Sequence, residues 1–251
     1  MNKISVIVPC YNEEESLTAF HRETAAVLKK IEEADYEFVF VDDGSSDKTL
    51  EIIKELAAED SHVRYVAFSR NFGKEAGMYA GLSEASGDYM VIMDADLQHP
   101  PALLPAMYEA VSKEGYDLCG GLRMGREGDS KLRGIFSRAF YKVSKKLTHM
   151  DMSDGHGDFR MMNRKVAEAI LEMKEYNRYM KGLLSFVGFD TKWIEYESVE
   201  RVMGKSKWNF KSLFSYAFEG IFPVITARLK LPPVIRHWLW EGCWAYPGRY
   251  K

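Results

Sequence analysis

The chain has 251 residues, of which 46% are hydrophobic and 28% charged, with a formal net charge of -3. That is enough apolar material for one sizeable core. The near balance of charge excludes a general nucleic-acid binder, which would carry a broad basic excess.

Ile4-Ser5-Val6-Ile7-Val8-Pro9 predicts a buried strand that Pro9 stops. Tyr11-Asn12-Glu13-Glu14-Glu15 follows, then a helical pattern through about Glu33, with Asn12 and Ser16 as candidate caps and acidic residues suited to the positive helix end. A second strand, Tyr36 to Val41, runs into Asp42-Asp43-Gly44-Ser45-Ser46-Asp47 and a helix to about Ala58. The third strand is Val63 to Phe68. The loop Ser69 to Lys74 then feeds a helix ending near Ser86-Gly87, and the strand Tyr89 to Met93 leads into Asp94-Ala95-Asp96-Leu97-Gln98-His99. A further apolar strand, Tyr116 to Gly121, precedes Arg123. This alternation predicts an α/β fold with a mostly parallel sheet and helices on both faces, whose ligands sit at the carboxyl ends of the strands. Asp42, Asp43, Ser69 and Asp94 all fall at such ends.

Asp94 and Asp96 carry the first chemical reading. In an extended segment residues i and i+2 point to the same side, so both carboxylates face one ion and Gln98 continues the alternation with an amide oxygen. Mg²⁺ or Mn²⁺ prefers hard oxygen ligands and leaves room for substrate phosphates, so one or two protein carboxylates suffice. An isolated acidic pair at a strand end is also commonly just solvated. His99 either touches the metal or packs in the turn before Pro100-Pro101. Asp42 or Asp43 is placed to accept hydrogen bonds from a ribose hydroxyl or a uracil imide, and Asp42 equally suits a cap on the Gly44-Ser45-Ser46 turn.

Arg123, Arg133, Arg138, Arg160 and Arg201 are the candidate phosphate-binding cations, with Lys205 and Lys207 behind them, because the planar guanidinium fork suits phosphate oxygens. The segment Ser130 to Leu147 reads as a helix with six basic residues and no acidic one. It is either a solvated face or a surface drawn to an anionic bilayer. Phe210, Leu213, Phe214, Ala217, Phe218, Ile221 and Phe222 recur at helical spacing, which suits an amphipathic helix lying in a membrane interface or packed on the core. No stretch is long and uncharged enough to span a bilayer. The three cysteines, Cys10, Cys119 and Cys243, show no metal spacing and suit a reducing compartment, and Ile4 to Cys10 is too short for a signal peptide.

Val8-Pro9-Cys10-Tyr11-Asn12-Glu13-Glu14, Val41 to Asp47, Arg70-Asn71-Phe72-Gly73-Lys74 and Asp94 to Pro101 together resemble family 2 glycosyltransferases of the polyprenyl-phosphate type. The resemblance continues through Gly121-Leu122-Arg123, Ser137 to Tyr141, Gly157-Asp158-Phe159-Arg160 and Gly204 to Trp208, and covers roughly residues 3 to 225. It implies a GT-A fold, Rossmann-like in its sheet, and an inverting transfer of a hexose from a nucleotide-sugar donor to a polyprenyl phosphate acceptor. Glucose from UDP-glucose is the first expectation and mannose from GDP-mannose the second. By the resemblance, Pro9, Tyr11, Glu13, Asp42, Asp43, Lys74, Asp94, Arg201 and Lys205 serve the donor, and Asp94, Asp96 and Gln98 hold Mg²⁺ or Mn²⁺. Asp158 takes the acceptor-side acid position, as a positioning group or a base. Arg123, Arg133, Arg138 and Arg160 meet the acceptor phosphate.

The expected organisation is a catalytic domain over residues 1–209, an amphipathic juxtamembrane helix over 210–230, and a tail over 231–251 that fits no pattern. The expected place is the cytoplasmic face of the cell membrane, held peripherally at the membrane surface, although similar enzymes commonly carry C-terminal transmembrane helices. A homo-oligomer is left open. A saccharide acceptor, a nucleotidyltransferase and a non-catalytic nucleotide-sugar-binding remnant are the competing readings. The nucleotidyltransferase lacks its Gly-rich triphosphate loop, since Pro9-Cys10-Tyr11-Asn12 stands there instead.

Overall fold

The computed structural model describes residues 1–124, 156–173 and 180–197. The basic segment 130–147, with Arg133 and Arg138, lies outside the described residues, as do Arg201, Lys205, Lys207, the 210–230 segment and the 231–251 tail.

Strands β1 (Asn2–Cys10), β2 (Ala34–Asp42), β3 (Val63–Ala67) and β4 (Tyr89–Ile92) alternate with helices α1 (Leu17–Leu28), α2 (Thr49–Glu59) and α3 (Lys74–Glu84). Helix α4 (Leu104–Ser112), β5 (Leu118–Met124), β6 (His156–Asn163), α5 (Arg164–Glu172), α6 (Met180–Val187) and β7 (Thr191–Glu197) complete the described elements. The strands form one sheet in the order β3-β2-β1-β4-β6-β5-β7. β1 pairs in parallel with β2 and β4, β2 with β3, and β5 with β7, whereas β6 runs antiparallel between β4 and β5.

Period-two alternation sorts the strands into two faces. Ile4, Val6 and Val8 of β1, Val91 of β4 and Phe159 and Met161 of β6 join the core under α1, α2 and α4. Ile7, Met90, Ile92, Leu118 and Met162 point the other way, against Met78 and Leu82 of α3, Val166 and Ile170 of α5, and Met180 and Leu184 of α6. Each such fully buried aliphatic side chain contributes about 1.5–3 kcal/mol of transfer free energy. Helix α3 lies so close to β1 that a Cβ on Gly81 would stand 2.3 Å from Ile7 Cγ2. That approach brings the first residue of α3, Lys74, over the carboxyl ends of the strands.

The predicted boundaries shift in three places. β1 continues through Pro9 to Cys10, paired with β2 as far as Asp42. Ile7 faces β4, since its carbonyl accepts from Met93 N, so Pro9 faces that side too. The pairing with β4 ends at Ile7 and Ile92, so the missing proline N–H costs no ladder bond. Helix α1 is shorter than its apolar pattern, ending at Leu28. β5 extends through Arg123, which therefore sits inside a strand rather than after one.

Candidate active site

Loops at the carboxyl ends of β1 and β2 are bolted together before any ligand is considered. Asn12 takes a left-handed conformation with φ 54°. Its Oδ1 accepts from Ser46 N at 2.8 Å, while its own N–H donates to Ser45 Oγ at 2.9 Å. Glu13 N donates to Thr49 Oγ1 at 2.7 Å. Asn12 thus caps the neighbouring turn, not its own helix. Ser16 does occupy the cap position of α1, but its hydroxyl donates to Glu13 Oε2 at 3.2 Å and makes no cap bond.

The two aspartates ending β2 have separate structural duties. Asp42 is 1% exposed and accepts from Ser45 N at 3.3 Å, the turn-capping alternative. Asp43 is buried, and its two oxygens accept from Phe72 N at 2.6 Å and Gly73 N at 2.9 Å. Burial pushes the Asp43 carboxyl up, against those two amides. Asp43 therefore anchors the loop that delivers Lys74. Tyr11 stands 40% exposed beside it, and Pro9 lies under α3 against Gly77.

The Asp94 to His99 segment is a turn, not the extended run assumed from sequence. Leu97 has φ 59°, a conformation that leucine rarely adopts and that only a well-braced turn sustains. The i and i+2 argument therefore fails for Asp94, Asp96 and Gln98, which share this turn instead. Asp96 Oδ1 accepts from Gln98 N at 3.1 Å, and His99 Nδ1 accepts from Asp94 N at 3.1 Å. Accepting at Nδ1 puts the imidazole proton on Nε2, which faces Asp94 Oδ2 at 4.0 Å. Burial holds the His99 ring below its usual pKa, although Asp94 pulls the other way. It packs flat on Phe159 with ring centroids 4.9 Å apart, so of the two sequence options the packing role is the one observed.

Lys74 closes the site. Its Nζ lies 2.6 Å from Asp94 Oδ1 and 2.8 Å from Asp158 Oδ2. Burial works against charge on all three groups. The ammonium between them nevertheless holds both carboxyls below the usual carboxylate range, and they raise the lysine in return. Asp158 lies on β6, not in a turn, and its Oδ1 is buried without a hydrogen-bond partner.

The arginines divide. Arg123 is the register partner of Tyr196, on which Asp94 and Asp96 also act, and its buried Nη2 has no hydrogen-bond partner. Arg160 is 4% exposed, donates from Nε to Gly157 O at 3.1 Å, and lays its guanidinium 5.1 Å from the Trp193 ring. It is built into the sheet. Gly120 makes this possible, since a Cβ there would meet Trp193 Cζ3 at 2.3 Å.

Among the described residues no group of three or more His, Cys, Asp or Glu could by itself hold a metal ion. The donors at the turn still fit Mg²⁺ or Mn²⁺, which accept one or two carboxylates and complete their shell with water and substrate phosphates. Gln98 supports that fit: its buried Nε2 has no partner, and the opposite amide orientation would put a hard oxygen there. Tyr196, on which Asp94 and Asp96 act, and Lys181, whose charge acts on Asp158, belong to this setting without having been singled out in the sequence. The alternating Thr191 to Glu197 run was the available signal for β7.

Residues 5–171 match the model of glycosyl transferase family 2. The chain is 45% identical over 228 residues to a putative glycosyltransferase, CsbB, of Bacillus subtilis, covering 91% of this chain and 68% of that protein. It is 40% identical over 229 residues to the bactoprenol glucosyl transferase of Shigella phage SfV, covering 91% and 74%. Among solved structures, it resembles mannosyl-3-phosphoglycerate synthase from Rubrobacter xylanophilus with a TM-score of 0.60 at 14% identity, covering 100% of this chain and 77% of that one. Glucosyl-3-phosphoglycerate synthase from Mycobacterium tuberculosis, in complex with Mn²⁺ and UDP-glucose, matches with a TM-score of 0.58 at 18% identity over 92% and 80%. With the family model covering most of the chain and these relatives along nearly all of it, the chain belongs to glycosyl transferase family 2 and is a glycosyltransferase on the GT-A fold.

Proposed function

We propose that the chain transfers glucose from UDP-glucose to a polyprenyl phosphate, with inversion, in a reaction that depends on Mg²⁺ or Mn²⁺. The observation that carries this reading is the Lys74 bridge, which sets the donor-side turn at Asp94 directly against the acceptor-side Asp158. Glucose and the lipid phosphate follow from the 40% identity to a bactoprenol glucosyl transferase. A fold relative in complex with Mn²⁺ and UDP-glucose supports the uridine donor and the metal.

The chemistry asks little of a base. A phosphate monoester has a second pKa of about 6 and is largely a dianion at neutral pH, so its oxygen can attack the anomeric carbon directly as the nucleoside diphosphate leaves. Asp158, held below the usual carboxylate range by Lys74, is a weak proton acceptor. That favours a positioning role, in which it fixes the ammonium. The harder task is bringing two anionic phosphates together. Lys74, paired with Asp94, and Arg123 would supply the positive charge, and Asp94, Asp96 and Gln98 would hold the metal. When bound, the divalent ion neutralises charge developing on the leaving diphosphate.

Among the described residues no helix is long and apolar enough to cross a membrane. Attachment to the membrane, at its cytoplasmic face, is part of the proposal; the lipid phosphate acceptor is what supports the attachment.

The test pairs binding with transfer. UDP-glucose, UDP and GDP-mannose are titrated calorimetrically into the purified chain with Mn²⁺ and then with EDTA, and labelled glucose is followed into undecaprenyl phosphate. Metal-dependent uridine binding with lipid labelling upholds the reading. Binding of GDP-mannose in its place moves it to mannosyl transfer, and labelling of a saccharide but not lipid overturns the acceptor.

A further inference from the structure

Tyr196 stands at the site with no part in the reading above. Arg123 and Tyr196 are register partners on the parallel pair β5 and β7, so their side chains leave the sheet on one face. Gly121 lies two residues before Arg123 on that face. A Cβ on it would stand 2.8 Å from Tyr196 Cε1 and 2.9 Å from Phe159 Cδ1. The bare strand therefore lets two rings close over it. Tyr196 meets Phe159 edge-on, with centroids 6.0 Å apart and an interplanar angle of 89°. Phe159 in turn carries His99 flat on its other contact, at 4.9 Å. A continuous run of rings thus links the Asp94 to His99 turn to β7 and ends at the Tyr196 hydroxyl.

That hydroxyl sits in a charged setting. Burial raises the phenol pKa, while Arg123 lowers it and Asp94 and Asp96 raise it, so all three charged groups lie within electrostatic reach. The tyrosine is 9% exposed, and the neighbouring Arg123 Nη2 is buried without a hydrogen-bond partner. A ring needed for packing alone requires no hydroxyl, and a buried guanidinium nitrogen without a partner, as at Arg123, is costly. One ligand group would meet that nitrogen and the Tyr196 hydroxyl together: an anionic oxygen between the guanidinium and the phenol, near the turn that would hold the divalent ion.

We infer that Tyr196 is a substrate-contacting residue whose hydroxyl donates a hydrogen bond to a phosphate oxygen also engaged by Arg123. The inference deepens the proposed glycosyl transfer and rests on it for the identity of the phosphate. Either the donor diphosphate or the acceptor monophosphate can supply that oxygen. Gly121 is then a positioning residue, because it admits the ring that carries the hydroxyl.

The experiment compares the wild-type chain with Tyr196→Phe, which keeps the ring and removes only the hydroxyl, after circular dichroism shows equal folding. Inorganic pyrophosphate and UDP are titrated calorimetrically in the presence of Mn²⁺, and initial rates are measured against undecaprenyl phosphate. A weakening of roughly tenfold is expected, the range of one hydrogen bond to a charged group. Loss on pyrophosphate and UDP places the contact on the donor diphosphate. Unchanged UDP binding with an equal rise in the KM for undecaprenyl phosphate places it on the acceptor. Wild-type behaviour in all three measurements overturns the inference while leaving the transferase reading intact. Should the wild-type chain transfer no sugar, that reading falls, and pyrophosphate alone decides: weaker binding by Tyr196→Phe upholds the contact, and equal binding, or none by wild type, overturns it.

Discussion

Asp94 and Asp158 share a single ammonium. Lys74 Nζ reaches Asp94 Oδ1 at 2.6 Å and Asp158 Oδ2 at 2.8 Å, joining a turn after β4 to a strand that begins more than fifty residues later. Lys74 thereby ties the turn after β4 to β6 through one buried cation.

Replacing that cation changes metal affinity in a definite direction. Lys74→Met removes a charge that competes for Asp94, so Mn²⁺ binding without nucleotide is expected to tighten by about tenfold, ~1.4 kcal/mol. Transfer should fall at least a hundredfold, because two carboxylates then face the incoming phosphate uncompensated. Calorimetry with Mn²⁺ alone separates the two effects. Weaker Mn²⁺ binding in the variant would show that Lys74 props up Asp94 and does not compete for it.

Asp96→Ala should abolish turnover, with circular dichroism checking that the fold survives loss of the bond Asp96 Oδ1 accepts from Gln98 N. Rates close to wild type at saturating Mg²⁺ or Mn²⁺ would count against metal binding at this turn.

Arg123→Ala is expected to raise the KM for polyprenyl phosphate by tenfold or more and to spare UDP-glucose affinity, a loss in the range of a charge-assisted hydrogen bond. An equal loss in UDP-glucose titrations would move Arg123 to the donor side.

Glu37 provides a pH signature away from the site. It is 2% exposed, and although burial opposes its charge, hydrogen bonds from Ser5, Ser86 and Lys3 hold its pKa at about 2. A carboxyl depressed in the folded state adds stability that is complete above its unfolded value, about 4.3, and is lost as pH falls toward 2. The contribution is about 3 kcal/mol at most. Thermal melts of Glu37→Gln between pH 6 and pH 3 should therefore start lower and decline less steeply than wild type. Parallel melting curves would refute the linkage.

Local pattern carried much of this protein. Short apolar runs located β1 to β4, and the placement of Asp42, Asp43 and Asp94 at carboxyl ends follows from strand-helix alternation alone. Asn12, Asp42 and Asp94 were legible because each sits in or beside a turn whose chemistry is written in neighbouring residues. Turn geometry was less legible: Asp94 to Gln98 reads as extended by spacing, but the positive φ of Leu97 folds it into a turn that only packing can stabilise.

What the tertiary structure decided is which distant groups meet. β6 inserts antiparallel between β4 and β5, and nothing local to residues 156–163 specifies that neighbour choice. Yet the insertion places Asp158 under Lys74, 84 residues away in sequence, and brings Arg160 against Trp193. The same strand order aligns Arg123 with Tyr196. Sequence periodicity determines which face a side chain takes, because that depends on the residue's own backbone. Partnership across a sheet depends on how the whole core is buried, and so it emerges only when the chain is folded.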